Sequence, residues 1–220
     1  MPPAFWQWVE QTPQTIIVGT NRAPVLSVLQ GRRLDVLVIR DTYRQLWLES
    51  HIGWKFHEEF WKPSVAYRVG PAHARYAHCD EFVRMVPGWQ LVDVRDGNNE
   101  RAVIQNDTVV LMAANFAWLC GCREIVLAGV DYTGGDCATM IRGYERSTGL
   151  EGRYEKPVPA PIERQFAEAF ASVQGAGGRM VNVSPGSRLQ AVPLVDWQAI
   201  ERFSGEKHES RDPLHQRAVG

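Results

Sequence analysis

Cysteine is scarce in this chain, with four residues (Cys79, Cys120, Cys122 and Cys137) in 220. No pair-of-pairs spacing points to structural zinc, and thiols kept reduced in a cytoplasm are the expectation. Cys120 and Cys122 fall two apart at the end of an expected helix, too close and badly directed for an easy disulfide. An excess of charge is also missing. Lys and Arg number 24 against 25 Asp and Glu, a formal net charge of −1, so the whole molecule exerts no attraction on nucleic acid or an anionic membrane. A local basic patch stays open. No apolar run approaches the roughly 20 residues of a membrane span. The opening "MPPAFWQWVEQ" lacks the charged and apolar regions of a signal peptide. The expectation is therefore a cytoplasmic chain without a membrane span. G-x-S-x-G, the Walker loop and G-x-G-x-x-G are absent too, which weighs against hydrolase, P-loop and standard dinucleotide chemistry. His51, His57, His73 and His78 show no metal-ligand spacing, so no metal site is assigned.

What is present is ordinary for a folded domain: 45% hydrophobic and 22% charged residues. Tryptophan is the exception, with eight in all; Trp6, Trp8, Trp47, Trp54 and Trp61 lie early and suit core packing or a subunit contact.

Apolar runs alternate with helical patterns along the chain. Residues 4–11 suit a short amphipathic helix. "TIIVGTN" (15–21) and "LDVLVIRD" (34–41) read as buried strands. The roughly dozen residues between them, which can hold a short helix, suit a parallel crossover rather than a hairpin. Residues 42–59 look helical and 64–70 strand-like. Residues 71–107 give no assignment beyond a turn at 96–99. "DTVVLMAANFAWLCGC" (107–122) predicts a helix with Asp107 as N-cap and Gly121 as its stop. "REIVLAGVD" (123–131) follows as a strand. A Gly- and Pro-rich stretch over 133–160 reads as a lid loop. A helix over 160–178 has Pro161 in its first turn, "RMVNVSP" makes a last core strand, and 194–203 a short helix. Domain bounds are set at 1–204, with 205–220 a flexible tail. The β-α-β order predicts an α/β fold: a doubly wound, mostly parallel sheet in a single domain with helices on both faces.

In such sheets ligands sit beyond the carboxyl ends of the strands, beside helix N-termini with unpaired N–H groups. Asn21, Asp41, Asp131 and Ser184 fall at such ends. Asn106, Asp107 and Thr108 open the following helix on the same edge. A rim of this kind can hold a ribose by carboxylates and a phosphate by amides and hydroxyls, and a divalent cation would also find oxygen ligands there. Plainer roles stand beside these: Asp107 as a simple cap, Asp131 before Gly134 and Gly135 as a turn-former, Asn21 as a cap. Asp41 directly follows an apolar run and needs solvent or a partner. Arg142, Arg146, Arg153 and Lys156 in the lid could clamp an anion or simply be solvated.

The segment "DTVVLMAANFAWLCGCREIVLAGVDYTGGD" resembles two related groups. One is the bacterial sialyltransferases with a single Rossmann-like domain. The other includes archaeal 6-hydroxymethylpterin diphosphokinases and flagellin-modification proteins. "RMVNVSPGSRLQAVPLVDW" is similar to their later strand and helix start, and "IIVGTNRAP…LDVLVIRD" to earlier strands. The resemblance touches residues 15–41 and 107–197. It implies a Rossmann-like fold and a nucleotide or nucleotide-sugar site at Asn21, Thr108, Gly129, Asp131 and Ser184. Two family features are missing: the opening G-x-G-P-S loop, and a histidine after the Gly-x-Asp strand, since residues 132–162 hold none.

The expected function is a glycosyltransferase-like transferase that binds a CMP- or UDP-linked sugar and passes the glycosyl group to an acceptor. Asp131 and Tyr132 are the catalytic candidates; Asn21, Asp41, Asn106, Thr108, Gly129 and Ser184 are the donor-binding ones. A non-catalytic nucleotide-binding or assembly protein and a pterin-type diphosphokinase are the alternatives. A homo-oligomer is compatible with either.

Overall fold

The computed structural model describes residues 3–12, 15–20, 34–38, 65–71, 81–83, 85–88, 91, 94, 98, 102–105, 108–130 and 158–200. Strands β1 (Val18–Thr20), β2 (Leu34–Val38), β3 (Val65–Pro71) and β4 (Glu81–Val83) form one sheet in that order. Its pairings are all parallel: Val18 lies opposite Val36, Val36 opposite Tyr67, and Val69 opposite Glu81. The β1–β2 crossover expected from the sequence is thus present. β1 is shorter than its apolar run. Ile17 nevertheless joins the ladder edge, its carbonyl accepting from the Asp35 and Val36 N–H groups while its own N–H donates to Asp35 Oδ2 at 2.8 Å. Two further pairs are parallel as well: β5 (Met85–Pro87) with β6 (Val103–Gln105), and β7 (Glu124–Leu127) with β8 (Arg179–Asn182). β4, β5 and β6 lie within 71–107, where pattern alone supports no element. The short helix expected within 23–33, the one over 42–59 and most of the 133–160 lid are outside the described residues, as is the 205–220 tail.

Four helices are described: α1 (Pro3–Gln11), α2 (Val109–Leu119), α3 (Ala160–Gly175) and α4 (Trp197–Ile200). Helix α2 is apolar apart from Asn115, and a helix of that kind needs partners all round. Met112, Ala113 and Phe116 pack with Val38, Val69 and Val103. On its other side Leu111, Ala114 and Trp118 pack with Ile125, Leu127, Phe166 and Met180. One helix therefore ties the β1–β4 sheet and β6 to the β7–β8 pair and α3.

The β7–β8 pair is covered on both faces. Ile125, Leu127 and Met180 face the α2 and α3 side. Val126, Val181 and Val183 alternate to the other side, where Phe5 and Val9 of α1 and Ile200 of α4 meet them. This period-2 alternation with apolar residues on both sides is what a parallel pair buried on both faces requires. Trp6, Trp8 and Trp197 edge that second cluster, with Phe5 and Trp6 rings 5.2 Å apart in a T-shaped contact. Of the early tryptophans, Trp6 and Trp8 are half-buried and pack against this core cluster.

Helix ends follow local chemistry. The N-cap of α2 is Thr108, not Asp107: Thr108 is extended (φ −128°, ψ 124°) and its side chain accepts from Val110 N–H at 3.3 Å. The helix starts one residue later than expected because the hydroxyl, placed two residues before an N–H, closes the first turn. At the other end Gly121 (φ 98°) forms a Schellman motif, with Cys122 N–H bonded to Ala117 O and Gly121 N–H to Trp118 O, both at 3.0 Å. Helix α3 ends identically through Gly177 (φ 76°), and Pro161 sits in its first turn as expected. The expected 194–203 helix is corrected at its start. Leu194 instead bridges Asn182 in parallel, Val195 N–H donates to Asn182 O, and α4 begins at Trp197 after Asp196, whose carboxylate accepts from Gln198 N–H.

Side chains also fix main chain between elements. Leu91, fully buried, has its carbonyl bonded by Asn115 Nδ2 at 2.9 Å and its N–H by Ser172 Oγ at 3.0 Å. The Glu163 carboxylate accepts from Gln190 and Ala191 N–H, each at 2.9 Å. Among the described residues no helix is long and apolar enough to cross a membrane.

Candidate functional site

The carboxyl tips of β7 and β8 lie side by side, because the two strands are parallel and in register from Glu124–Arg179 to Leu127–Asn182. β7 runs out into Ala128, Gly129 and Val130. Gly129 has φ 77°, a backbone state that side-chain-bearing residues adopt at a cost. It is exposed, and a Cβ at this position would meet no described atom within 4 Å.

β8 runs out into Val183 and a tight turn. Ser187 N–H donates to Ser184 O at 3.1 Å across Pro185 and Gly186 (φ 70°), the pattern of a type II turn with Pro and Gly at its centre. The turn returns Ser187 to the strand tip. There, three side chains converge on the main chain of one residue, Val130, at the neighbouring strand end. Ser184 Oγ accepts from Val130 N–H at 2.8 Å. Val130 C=O accepts from Asn182 Nδ2 at 3.0 Å and from Ser187 Oγ at 2.8 Å.

The three are also joined to one another. Asn182 Nδ2 donates to Ser187 Oγ at 2.9 Å, Asn182 Oδ1 accepts from Ser184 N–H at 3.0 Å, and Leu189 N–H donates to Ser187 Oγ at 3.2 Å. Asn182 is fully buried and Ser184 is 1% exposed. With both amide hydrogens and its oxygen engaged, Asn182 is a satisfied core amide, and such closed networks rigidify what they touch.

Of the sequence-derived site residues, Ser184 and Gly129 belong to this tip. Thr108 is buried and serves as the α2 cap, directly after the 106–107 link from β6. Asn21, Asp41, Asn106, Asp131 and Tyr132 lie outside the described residues. Asn182 and Ser187 were not among the candidates. Their signal in the sequence was a polar pair framing Ser184-Pro-Gly at the end of a buried strand.

The opposite edge of the same strands has different chemistry. Arg179 and Glu124 pair at 3.2 Å, both partly exposed, an arrangement worth little to stability. Arg123 lies 4.3 Å over the Trp118 ring and donates to Trp118 and Cys122 carbonyls, neutralising the α2 C-terminus. Cys122, beside it, has its thiol pushed up by burial, with Arg123 opposing. Among the described residues no group of three His, Cys, Asp or Glu gathers as a metal site.

No family model matches the sequence, and neither a curated protein nor a solved structure matches it.

Proposed function

We propose that the chain is a nucleotide-binding domain of the doubly wound, Rossmann-like type. On this reading it holds a nucleotide-activated sugar at the carboxyl edge of its strands and transfers the glycosyl group to an acceptor. The fold reading is supported by the uniformly parallel pairings, by helices on both faces of β7–β8, and by α2 starting directly after β6. The observation that carries the site reading is the main chain of Val130, held at both its N–H and its C=O. Asn182, Ser184 and Ser187 hold the main chain of Val130, the residue before Asp131 in sequence, at a strand tip where Gly129 is exposed.

In the reaction the anomeric C–O bond to the donor phosphate breaks and a bond to the acceptor oxygen forms. The nucleotide leaves with the phosphate, and the acceptor proton passes to a base at the site. Asp131 and Asp41 hold the ribose or a divalent cation. On this reading Thr108, Asn106 and the amides opening α2 bind the phosphates, and Asn21 is a further donor-binding residue. Tyr132 donates a hydrogen bond to the departing phosphate. Positioning and charge stabilisation supply most of the rate.

A thermal-shift screen with CMP, UDP, GDP and ATP, each with and without magnesium or manganese, tests this. Stabilisation by CMP or UDP is expected. ATP consumption with a metal requirement would instead indicate a diphosphokinase. The absent family histidine and glycine-rich loop favour a second reading, a non-catalytic nucleotide-binding protein, which predicts binding without turnover of any sugar donor.

A further inference from the structure

We infer that Arg188 is the cation that recognises a phosphate at this edge, so that the site takes nucleoside phosphates and holds the bare nucleosides poorly. The inference rests on the nucleotide reading above and deepens it, because Arg188 stands outside the residues expected to bind the donor.

Arg188 directly follows Ser187, whose hydroxyl donates to Val130 C=O, so the main chain that carries it lies against the β7 tip. Arg188 and Gly129 are both exposed, whereas Ser184 and Leu189 on the same turn are buried. The other arginines of these two strands, Arg123 before β7 and Arg179 at the start of β8, belong to the opposite, amino-terminal edge.

The base of the Arg188 side chain is held from both sides. Leu189 N–H donates to Ser187 Oγ, and Gln190 and Ala191 N–H donate to the two oxygens of Glu163 in the first turn of α3. A guanidinium carried on fixed main chain loses less freedom when it meets an anion than one on a loose loop.

A phosphate is bound by N–H groups, hydroxyls or cations. Along this turn the N–H groups of Ser184, Ser187, Leu189, Gln190 and Ala191 are bonded within the protein. The Ser187 hydroxyl hydrogen goes to Val130 C=O. The strongest anion ligand here is then the Arg188 guanidinium, with five N–H donors, more than one partner can use, in a fork that matches two phosphate oxygens. A merely solvated arginine predicts something else: the same nucleotide affinity with and without its charge.

Calorimetry with CMP, cytidine, UDP and uridine tests this on the wild type, Arg188→Gln and Arg179→Gln, well below every Tm. Arg179→Gln removes the same charge from the opposite edge. The wild type is expected to bind each nucleotide more tightly than its nucleoside. Arg188→Gln should lose roughly tenfold or more in nucleotide affinity, the scale of one hydrogen bond to a charged group, with nucleoside affinity and Tm unchanged. Arg179→Gln should bind like the wild type. If Arg188→Gln keeps the wild-type preference for nucleotide over nucleoside, or Arg179→Gln loses as much, the role of Arg188 is overturned while the nucleotide reading stands. If the wild type binds neither nucleotide, both fall.

Discussion

At the level of single residues, the β7–β8 tip is held by side chains whose partners are main-chain groups far away in sequence. Asn182 and Ser187 reach Val130 across 52 and 57 residues. Nothing in local pattern announces such a partner, which is why Ser184 stands out in the sequence by its place at a strand end and its two neighbours do not. Asn182→Ala leaves Val130 C=O and Ser184 N–H short of a partner in a buried place. It should cost about 2–3 kcal/mol in urea unfolding, and a loss below ~0.5 kcal/mol would show the network to be slack. Gly178 illustrates a different constraint. A Cβ there would run into the Trp118 ring and sit 2.9 Å from Arg123 O, so Gly178→Ala should cost about 1–3 kcal/mol although its backbone is not left-handed. Cys122 gives a chemical check. Its raised thiol keeps less thiolate at pH 8, so iodoacetamide should modify exposed Cys120 before Cys122 in a peptide map. Because folding raises that affinity for the proton, the group's small stabilising effect is present at lower pH and fades as pH rises through the folded-state value.

Elements were legible in proportion to their length and punctuation. Helix α3 shows its face through Phe166, Ala169 and Val173, and both α2 and α3 stop at glycines that the sequence marks. β7 and β8 stand out as apolar runs. β4, β5 and β6 have three residues each, too few for a period to be recognised, and only their pairing defines them. The α2 start was misread by one residue because Asp107 and Thr108 are both good caps and local chemistry does not rank them. Thr108→Ala should therefore destabilise by about 1 kcal/mol, read as a lower urea midpoint. A Gly121→Ala change should cost about 1–2 kcal/mol, since the Schellman end needs φ 98°. If Thr108 also meets a phosphate, its alanine variant will lose nucleotide affinity beyond what Tm accounts for.

For the whole molecule, the central claim is that polar strand tips share one edge and that a phosphorylated nucleoside lies there. The order of elements already implied parallel pairing, and every described pairing is parallel. The connection through α2, which binds both strand groups into one core, could not be read in advance because a helix apolar apart from Asn115 has little moment to say which faces it will use. The most direct measurement is a calorimetric titration of wild type and Asp131→Ala with CMP and UDP, with Tm recorded for both proteins. The account predicts saturable binding by the wild type and its loss, by about a hundredfold or more, in a variant whose Tm is unchanged. Equal affinity in the two proteins would contradict it.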